Sequence, residues 1–469
     1  MKSFSFFKGL SWLIFLNLLV KPVWIFLIDR QVQNIVGHEA FGRYFALLNL
    51  SFVLFFLSDA GLSNMLNQRI AINRKINTGQ FIGLKIFLLG LFALATLFTA
   101  WLSHITQWEF LFYIIAIQAL NSLFIFLRSI ITAHQLFGAD AWLSVIDKFL
   151  MIVFCGLLIY TTSFGQIDLV LFLQIQTACT ALAVLIALVL VNRKKLITTS
   201  GREDLQKILR MMTPFALIIL LMSVHSRLDA FILERVHING AMQAGIYASA
   251  FRLLEAGNMV GYLAASFLVP FIARNKNDKT LIGAVVLNSR HALILLSIGV
   301  VSFGLFYAEW IQQLLYHSSD PYISLIIQLT IAVLPASYLV HIYSSVLTAT
   351  SHFGFLIAIL VATVLINLVL NINLIPSYGA KGSCIAALVS QYFCGLACFV
   401  AATKKMTLSL HMRSLLAYLL AAIAFALLFY IGKMTISNVW VILAIAVLLV
   451  VSILATQSGN FKKYFVSHR

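Results

Sequence analysis

Ionisable side chains stand in stretches that are otherwise apolar: Lys21, Asp59, Lys85, Arg128, Asp147, Lys148, Arg227, Asp229, Arg252, Glu255 and Arg290. They gather most closely in residues 211–274. There MMTPFALIILLMSVHSRLDAFILERV is interrupted by His225, Arg227 and Asp229, and AGIYASAFRLLEAGNMVGYLAASFLVPFIAR by Arg252 and Glu255. Arg252 and Glu255 are three apart, so they share a helix face. Two chemistries stay open for them. They can neutralise each other, or Arg252 can present its planar fork to phosphate oxygens. The small neighbours Gly245, Ala248, Ser249 and Ala256 leave room beside the arginine for a group larger than a carboxylate. Ser223, Arg227 and Ala230 form a similar face on the preceding helix. His225 and Asp229, four apart, suit a structural hydrogen bond or a proton relay.

The elements that must carry these residues are membrane helices. The chain is 62% hydrophobic and 10% charged over 469 residues, with a mean hydropathy of +1.00. Continuous apolar runs of about 20 residues recur, each matching the bilayer core at helical rise. The short alternating strands of an outer-membrane barrel are missing. The expected fold is therefore an all-α polytopic membrane protein of about 14 spans: 7–29, 43–66, 81–103, 109–131, 141–163, 167–191, 211–234, 244–271, 281–307, 322–347, 355–375, 380–402, 414–431 and 437–455. A basic side chain at the centre of such a span costs roughly 3 kcal/mol on insertion scales. Most of these charges must face a protein interior or reach an interface. Lys85 and Arg128 lie near expected span ends, as does Arg290 if its span starts late, which favours snorkelling for them. The pair of helices in 211–274 reads as one wall of a polar path.

The net charge of +17 follows position more than total. Lys and Arg collect in residues 2–8, 69–75, 193–210, 274–279, 404–413 and 462–469, all on one side of the membrane under this span count. By the positive-inside rule, both termini and the 192–210 segment are expected in the cytoplasm. The basic balance then implies contact with anionic membrane lipids and no nucleic acid. The N-terminal run continues through Pro22 without a cleavage site, as a retained first span would.

Residues 192–210 form the longest polar interruption and divide the chain into expected domains: 1–191 as one six-helix bundle, 211–402 as a second, and 403–469 as two extra helices with a basic tail. Short similarities support a duplication around a central cavity. HEAFGRYFALL around Gly42 matches MQAGIYASAF around Gly245, and AHQLFG ending at Gly138 matches TSHFG ending at Gly354. Pro22, Pro214, Pro270 and Pro335 fall in or at the ends of spans, where each permits a bend.

Several chemistries are excluded. No phosphate-binding G-x-x-x-x-G-K-[ST] loop or H-E-x-x-H exists, so no nucleotide cofactor and no metal is expected. The adjacent acids Glu203 and Asp204 sit in the polar segment. All five cysteines lie in apolar spans without metal spacing and read as packing residues. The longest outside loop is too short to house a glycosyltransferase or polymerase site, so the chain is not expected to be an enzyme.

Three segments together resemble a known family. AGIYASAFRLLE from Ala244, with LVPFIAR ending at Arg274, resembles the eighth span of polysaccharide exporters in the multidrug, oligosaccharidyl-lipid and polysaccharide flippase superfamily. INLVLNINLIPSYGAKGS from Ile366 is similar to that group's N-x-x-L-x-x-x-L-I-P-x-Y-G-x-x-G signature, and EAFGRY from Glu39 to its second-span opening. The resemblance implies a bacterial inner-membrane flippase for a polyprenyl-pyrophosphate-linked oligosaccharide, such as an O-antigen or capsule repeat unit. It also implies a polysaccharide polymerase and glycosyltransferases as partners. Arg252 matches a cavity arginine of the related lipid II flippases. Those also carry arginines in spans one and two, where this chain has Lys21 and, at the span mouth, Arg43. The expected substrate-binding residues are thus Arg252, Arg227 and Lys21, and the possible ion-coupling residues Asp229, Asp59, His225 and Glu255. Ion-coupled drug export and lipid II flipping are the alternatives the same superfamily offers.

Overall fold

A computed structural model describes residues 2–71, 77–161, 167–197, 205–275, 278–406, 412–436 and 438–450, with Ser452. Part of the polar 192–210 segment, including Glu203 and Asp204, and the tail beyond 452 lie outside the described residues. Every regular element is helical: α1 (Lys2–Val23), α2 (Arg30–Leu54), α3 (Phe56–Asp59), α4 (Leu62–Ala71), α5 (Thr78–Leu102), α6 (Trp108–Ala133), α7 (Phe137–Tyr160) and α8 (Leu169–Arg193). There follow α9 (Leu205–Val236), α10 (Gly240–Arg274), α11 (Lys279–Tyr316), α12 (Pro321–Ile331), α13 (Leu334–Ala349), α14 (Phe353–Tyr378), α15 (Ala380–Met406) and α16 (Met412–Thr435), with a short apolar α17 (Val439–Val450).

Twelve helical stretches among the described residues are long and apolar enough to cross a membrane. The first, Phe15–Asn67, has 53 residues. At about 1.5 Å per residue it is long enough for two crossings of a core about 30 Å thick. It takes in most of the first expected span and all of the second, divided at Gly37, whose φ of 82° only glycine adopts without strain. The protein is a polytopic all-α membrane protein.

Two spans differ from the continuous helices expected. Span ten breaks between α12 and α13, which leaves Pro335 in the first turn of α13, where its missing N–H costs no helical bond. Span two breaks between Phe55 and Gly61, with Ala60 (φ 45°) and Gly61 (φ 84°) both left-handed. Pro22 is followed by a wide π-turn, Trp24–Asp29. Pro214 and Pro270 sit inside unbroken α9 and α10.

Contacts group the chain into two compact units, Met1–Ser249 with Val364–Ser383, and Ala250–Thr363 with Cys384–Arg469. These spatial groupings run across the chain halves, since α9 and the first turns of α10 belong with the first unit. In that unit Phe81, Phe126, Ile130, Val184 and Ala187 share one apolar cluster. In the second, Phe425 and Phe429 of α16 and Ile442 of α17 pack on Tyr307 of α11. The other face of α16 leaves Leu415, Leu416, Leu419 and Leu420 exposed, as lipid contact requires. All five cysteines are buried thiols outside any disulfide.

Candidate functional site

The helices bearing the charges are held by a backbone contact between the two Gly-x-Tyr motifs. A Cβ on Gly42 would lie 1.9 Å from the carbonyl oxygen of Ala241, and one on Gly245 would lie 1.9 Å from that of His38. Only glycine lets α2 and the start of α10 approach so closely. Gln33 reinforces the crossing, donating from Nε2 to the Gly245 carbonyl at 2.8 Å. Two residues earlier on α10, the Gln243 side chain accepts from the Ala380 amide at 2.9 Å. That fixes the turn at Gly379 (φ 55°), which closes the IPSYG segment.

In the first unit, Arg227 of α9 meets α2. Its guanidinium lies over the Phe52 ring, 4.7 Å from the centroid, and Nη1 donates to Asn49 Oδ1 at 3.4 Å. Two residues along, buried Asp229 accepts from Asn371 Nδ2 of α14 at 2.9 Å, and the same amide reaches Asn367 Oδ1 at 3.0 Å. His225 is buried on the same helix. The two asparagines belong to the segment beginning INLVLN. Their contact with Asp229 is not legible in the sequence, because nothing in the spacing of residues 229 and 371 signals it.

Lys21 is half-buried on α1, within electrostatic reach of Asp147, Lys148 and Arg128. Asp147 and Lys148 pair with each other at 3.1 Å, and Lys148 also lies 5.3 Å from the Trp24 ring centroid. Arg128 grips Asp140 in a two-point contact of 2.7 and 3.1 Å.

Asp59, at the break in span two, accepts from Lys85 Nζ at 2.6 Å. The same ammonium donates to the Ser58 carbonyl at 3.0 Å and to Ser122 Oγ at 2.7 Å. Lys85 has no exposed surface. Snorkelling, expected for Lys85, Arg128 and Arg290, is thus replaced by internal contacts in all three. Arg290 is buried between Tyr418 and Tyr343, with Nε–Oη and Nη1–Oη distances of 3.2 and 3.4 Å, and no carboxylate pairs with it among the described residues. The helix ends fall within a few residues of those expected, and the difference lies in the partners: Lys85 lies beside a broken helix whose polar groups need donors, and Arg128 and Arg290 meet side chains of neighbouring helices.

In the second unit, Arg252 donates from Nη1 to Glu255 at 2.8 Å, and both side chains keep some exposure, 12% and 21%. The helical face they share continues to Tyr262, which is exposed yet backed by the buried His341 ring, with centroids 4.4 Å apart. Gly261 makes room for that packing, since its Cβ would lie 2.5 Å from the His341 ring. Neither aromatic was singled out from sequence, where a lone Tyr and a distant His carry no pattern. Among the described residues no group of three or more His, Cys, Asp or Glu is placed to hold a metal ion.

Comparison with solved structures places these helices in a known arrangement. The lipid II flippase MurJ, in an inward closed conformation, superposes with a TM-score of 0.69 over 99% of each chain at 12% identity. A MOP-superfamily transporter from Pyrococcus furiosus gives 0.63 at 14% identity, over 85% of this chain and 96% of that one. The Vibrio cholerae MATE transporter VcmN gives 0.61 at 16% identity, over 87% and 97%. At such identities the likeness is one of fold. No functionally curated protein matches the sequence. The sequence profile described as polysaccharide biosynthesis protein, however, matches residues 6–276, more than half of the chain and the part holding Arg227, Asp229, Arg252 and Glu255, so the chain belongs to that family, with the helical fold of the MOP flippases and transporters.

Proposed function

We propose that this protein flips a polyprenyl-pyrophosphate-linked oligosaccharide, an O-antigen or other surface-polysaccharide repeat unit, from the inner to the outer leaflet of the bacterial cytoplasmic membrane. The observation that carries the proposal is Arg252 on an unbroken α10. Glu255 steadies its guanidinium on a partly exposed face lined by small residues, within the region that matches a polysaccharide biosynthesis family. An arginine so held is set to take phosphate oxygens in a poorly screened place, where charge-assisted contacts are strong. Tyr262, further along that face, suits the apolar face of a sugar ring, with His341 holding its orientation. Arg227 adds a second cation in the first unit, and Lys21 a third at α1. Both termini and residues 192–210 lie in the cytoplasm, following the Lys and Arg bias. Glycosyltransferases would supply the substrate and a polysaccharide polymerase would use the product.

A second reading, ion-coupled export of a smaller solute, is favoured by buried Asp229, whose carboxylate together with the amide oxygens of Asn367 and, once its side chain turns, Asn371 would suit a monovalent cation. The two readings share an ion gradient as the energy source and differ in cargo. Complementation decides between them. In a strain lacking its own repeat-unit flippase, the wild-type gene should restore surface polysaccharide while Arg252→Ala, present at equal level by blot, should not. Failure of the wild type to restore polysaccharide, with drug resistance conferred instead, would overturn the flippase reading. Reporter fusions at Gly201 and after Arg469 should both score as cytoplasmic.

A further inference from the structure

We infer that the break in span two is a cage for a monovalent cation which the protein fills permanently with its own ammonium, that of Lys85. Four observations converge. First, the helix is interrupted between Phe55 and Gly61 by two left-handed residues, which releases backbone carbonyls from the helical ladder at membrane depth. Secondly, one of these, the Ser58 carbonyl, joins Asp59 Oδ1 and Ser122 Oγ around a single point, at 3.0, 2.6 and 2.7 Å. Carbonyl, carboxylate and hydroxyl oxygens at an unwound helix are the ligand set by which membrane transporters hold Na⁺ or a similar ion.

Thirdly, the cage has supporting contacts of its own. The Ser63 hydroxyl and amide both donate to Asp59, and the Ser58 hydroxyl donates to Ser122 at 2.7 Å. The oxygens are therefore oriented by the fold as well as by the lysine. Fourthly, the point they surround is occupied by Lys85 Nζ, whose three protons match the three acceptors, on a buried side chain. The stem passes the Phe126 ring, 5.7 Å from Nζ to the centroid, which adds a cation–π contact.

A tethered cation differs from a free one in a way that bears on transport. It cannot be exchanged with either side of the membrane, so the first unit holds this region in one electrostatic state whatever the ion gradient. Asp59, expected as an ion-coupling residue, becomes on this inference a fixed counter-charge. An exchangeable ion must then act elsewhere, and buried Asp229 beside Asn371 is one such place.

The test empties the cage without collapsing it. Lys85→Met keeps the stem and ends one atom short of the ammonium. Asp59 retains some exposure, 17% of its side chain, which gives an ion a way in. The purified variant and wild type are melted in equal concentrations of NaCl, KCl, ammonium chloride or choline chloride. At least one of the small cations should raise the Lys85→Met midpoint relative to choline by about 4 °C more than it raises the wild type, as a ligand bound only by the folded state does. The double variant Lys85→Met with Asp59→Asn removes the charge that attracts the ion and should return to the wild-type response. A variant that survives purification only in a small-cation buffer also supports the cage. An equal response in wild type and Lys85→Met overturns it. So does a Lys85→Met protein that unfolds in every salt, because a cage accepting free cations would have restored it.

Discussion

The two spans that open with Gly-x-Tyr share a backbone contact and differ in what they carry beyond it. Seven and ten positions after Gly42 stand Asn49 and Phe52, whereas seven and ten after Gly245 stand Arg252 and Glu255. In the second case the arginine grows from the span itself. In the first, the same two positions receive an arginine from another helix, Arg227 of α9, which bonds to Asn49 and lies over Phe52. Further on, α10 stays helical through to Arg274, while its counterpart breaks at Ala60 and closes around Lys85. Symmetry here resides in the backbone crossing, and the charges are free to differ around it. The tyrosines of both motifs are buried, which fits a role in packing for that part of the repeat.

The largest effect should come from the crossing itself. A methyl group on Gly245 would overlap the His38 carbonyl at 1.9 Å, and backbone atoms cannot turn away as a side chain can. Gly245→Ala should destabilise by more than about 3 kcal/mol, the upper part of the usual overpacking range. Gly42→Ala should do the same, and both should show as loss of the monodisperse peak on detergent gel filtration. By contrast Gly138→Ala and Gly354→Ala, from the other matched motif, add a methyl that meets nothing and should elute as wild type. A well-behaved Gly245→Ala protein would mean the spans do not cross there.

This contrast also marks what the sequence makes legible. Apolar runs set approximate helix ends, because bilayer thickness and helical rise leave little freedom, but of the last expected span, 437–455, only the short α17 is seen among the described residues. The Gly-x-Tyr similarity was readable as a repeat, but its meaning as a mutual contact was not, since i-to-j pairing over 203 positions leaves no local trace. The break at Ala60 and Gly61 was invisible because neither residue is a proline and glycine is common in membrane helices. Arg252 with Glu255 was legible from spacing alone. Asp229 with Asn371 and Lys85 with Asp59 were not, as their partners come from distant helices.

Next in size is the Arg252 series, which asks whether the arginine on α10 acts by charge toward Glu255 or by its fork toward substrate. Arg252→Ala should abolish flipping with the protein still in the membrane. Arg252→Lys should restore part of it, because an ammonium supplies charge without planar, two-point geometry. If neutralising Glu255 were its whole role, the double change with Glu255→Ala would recover transport lost in the single one. Recovery of surface polysaccharide in that double variant would sink the substrate-binding role.

A smaller effect on the fold is expected at Asp229. Asp229→Ala leaves the Asn371 amide without this acceptor in a buried place, which should cost about 1–3 kcal/mol. Asp229→Asn keeps much of the shape and should cost less, while removing the charge that would hold an ion. Transport by this variant in vesicles should lose its response to an imposed Na⁺ or H⁺ gradient. An unchanged response would shift ion coupling away from α9.

The smallest effect should fall on Arg227, and it sharpens the comparison most directly, because this side chain is what the first repeat uses where the second uses Arg252. Its bond to Asn49 is long at 3.4 Å, so that contact contributes at the low end of the hydrogen-bond range, about 0.5 kcal/mol. The Phe52 ring at 4.7 Å adds about 1 kcal/mol more by cation–π attraction. Arg227→Ala should therefore lower the unfolding midpoint only slightly and reduce flipping in part, while Arg227→Lys keeps some of the ring contact. A double-mutant cycle of Arg227→Ala with Phe52→Leu, read by thermal unfolding, should return most of the coupling, and the cycle with Asn49→Ala little. The decisive variant exchanges the two arrangements: Asn49→Arg with Arg227→Ala moves the arginine onto α2, as Arg252 stands on α10. Transport by this protein at or above the Arg227→Ala level would mean that either span can carry its own cation. A loss deeper than the single change would mean that the first repeat needs its arginine to arrive from α9.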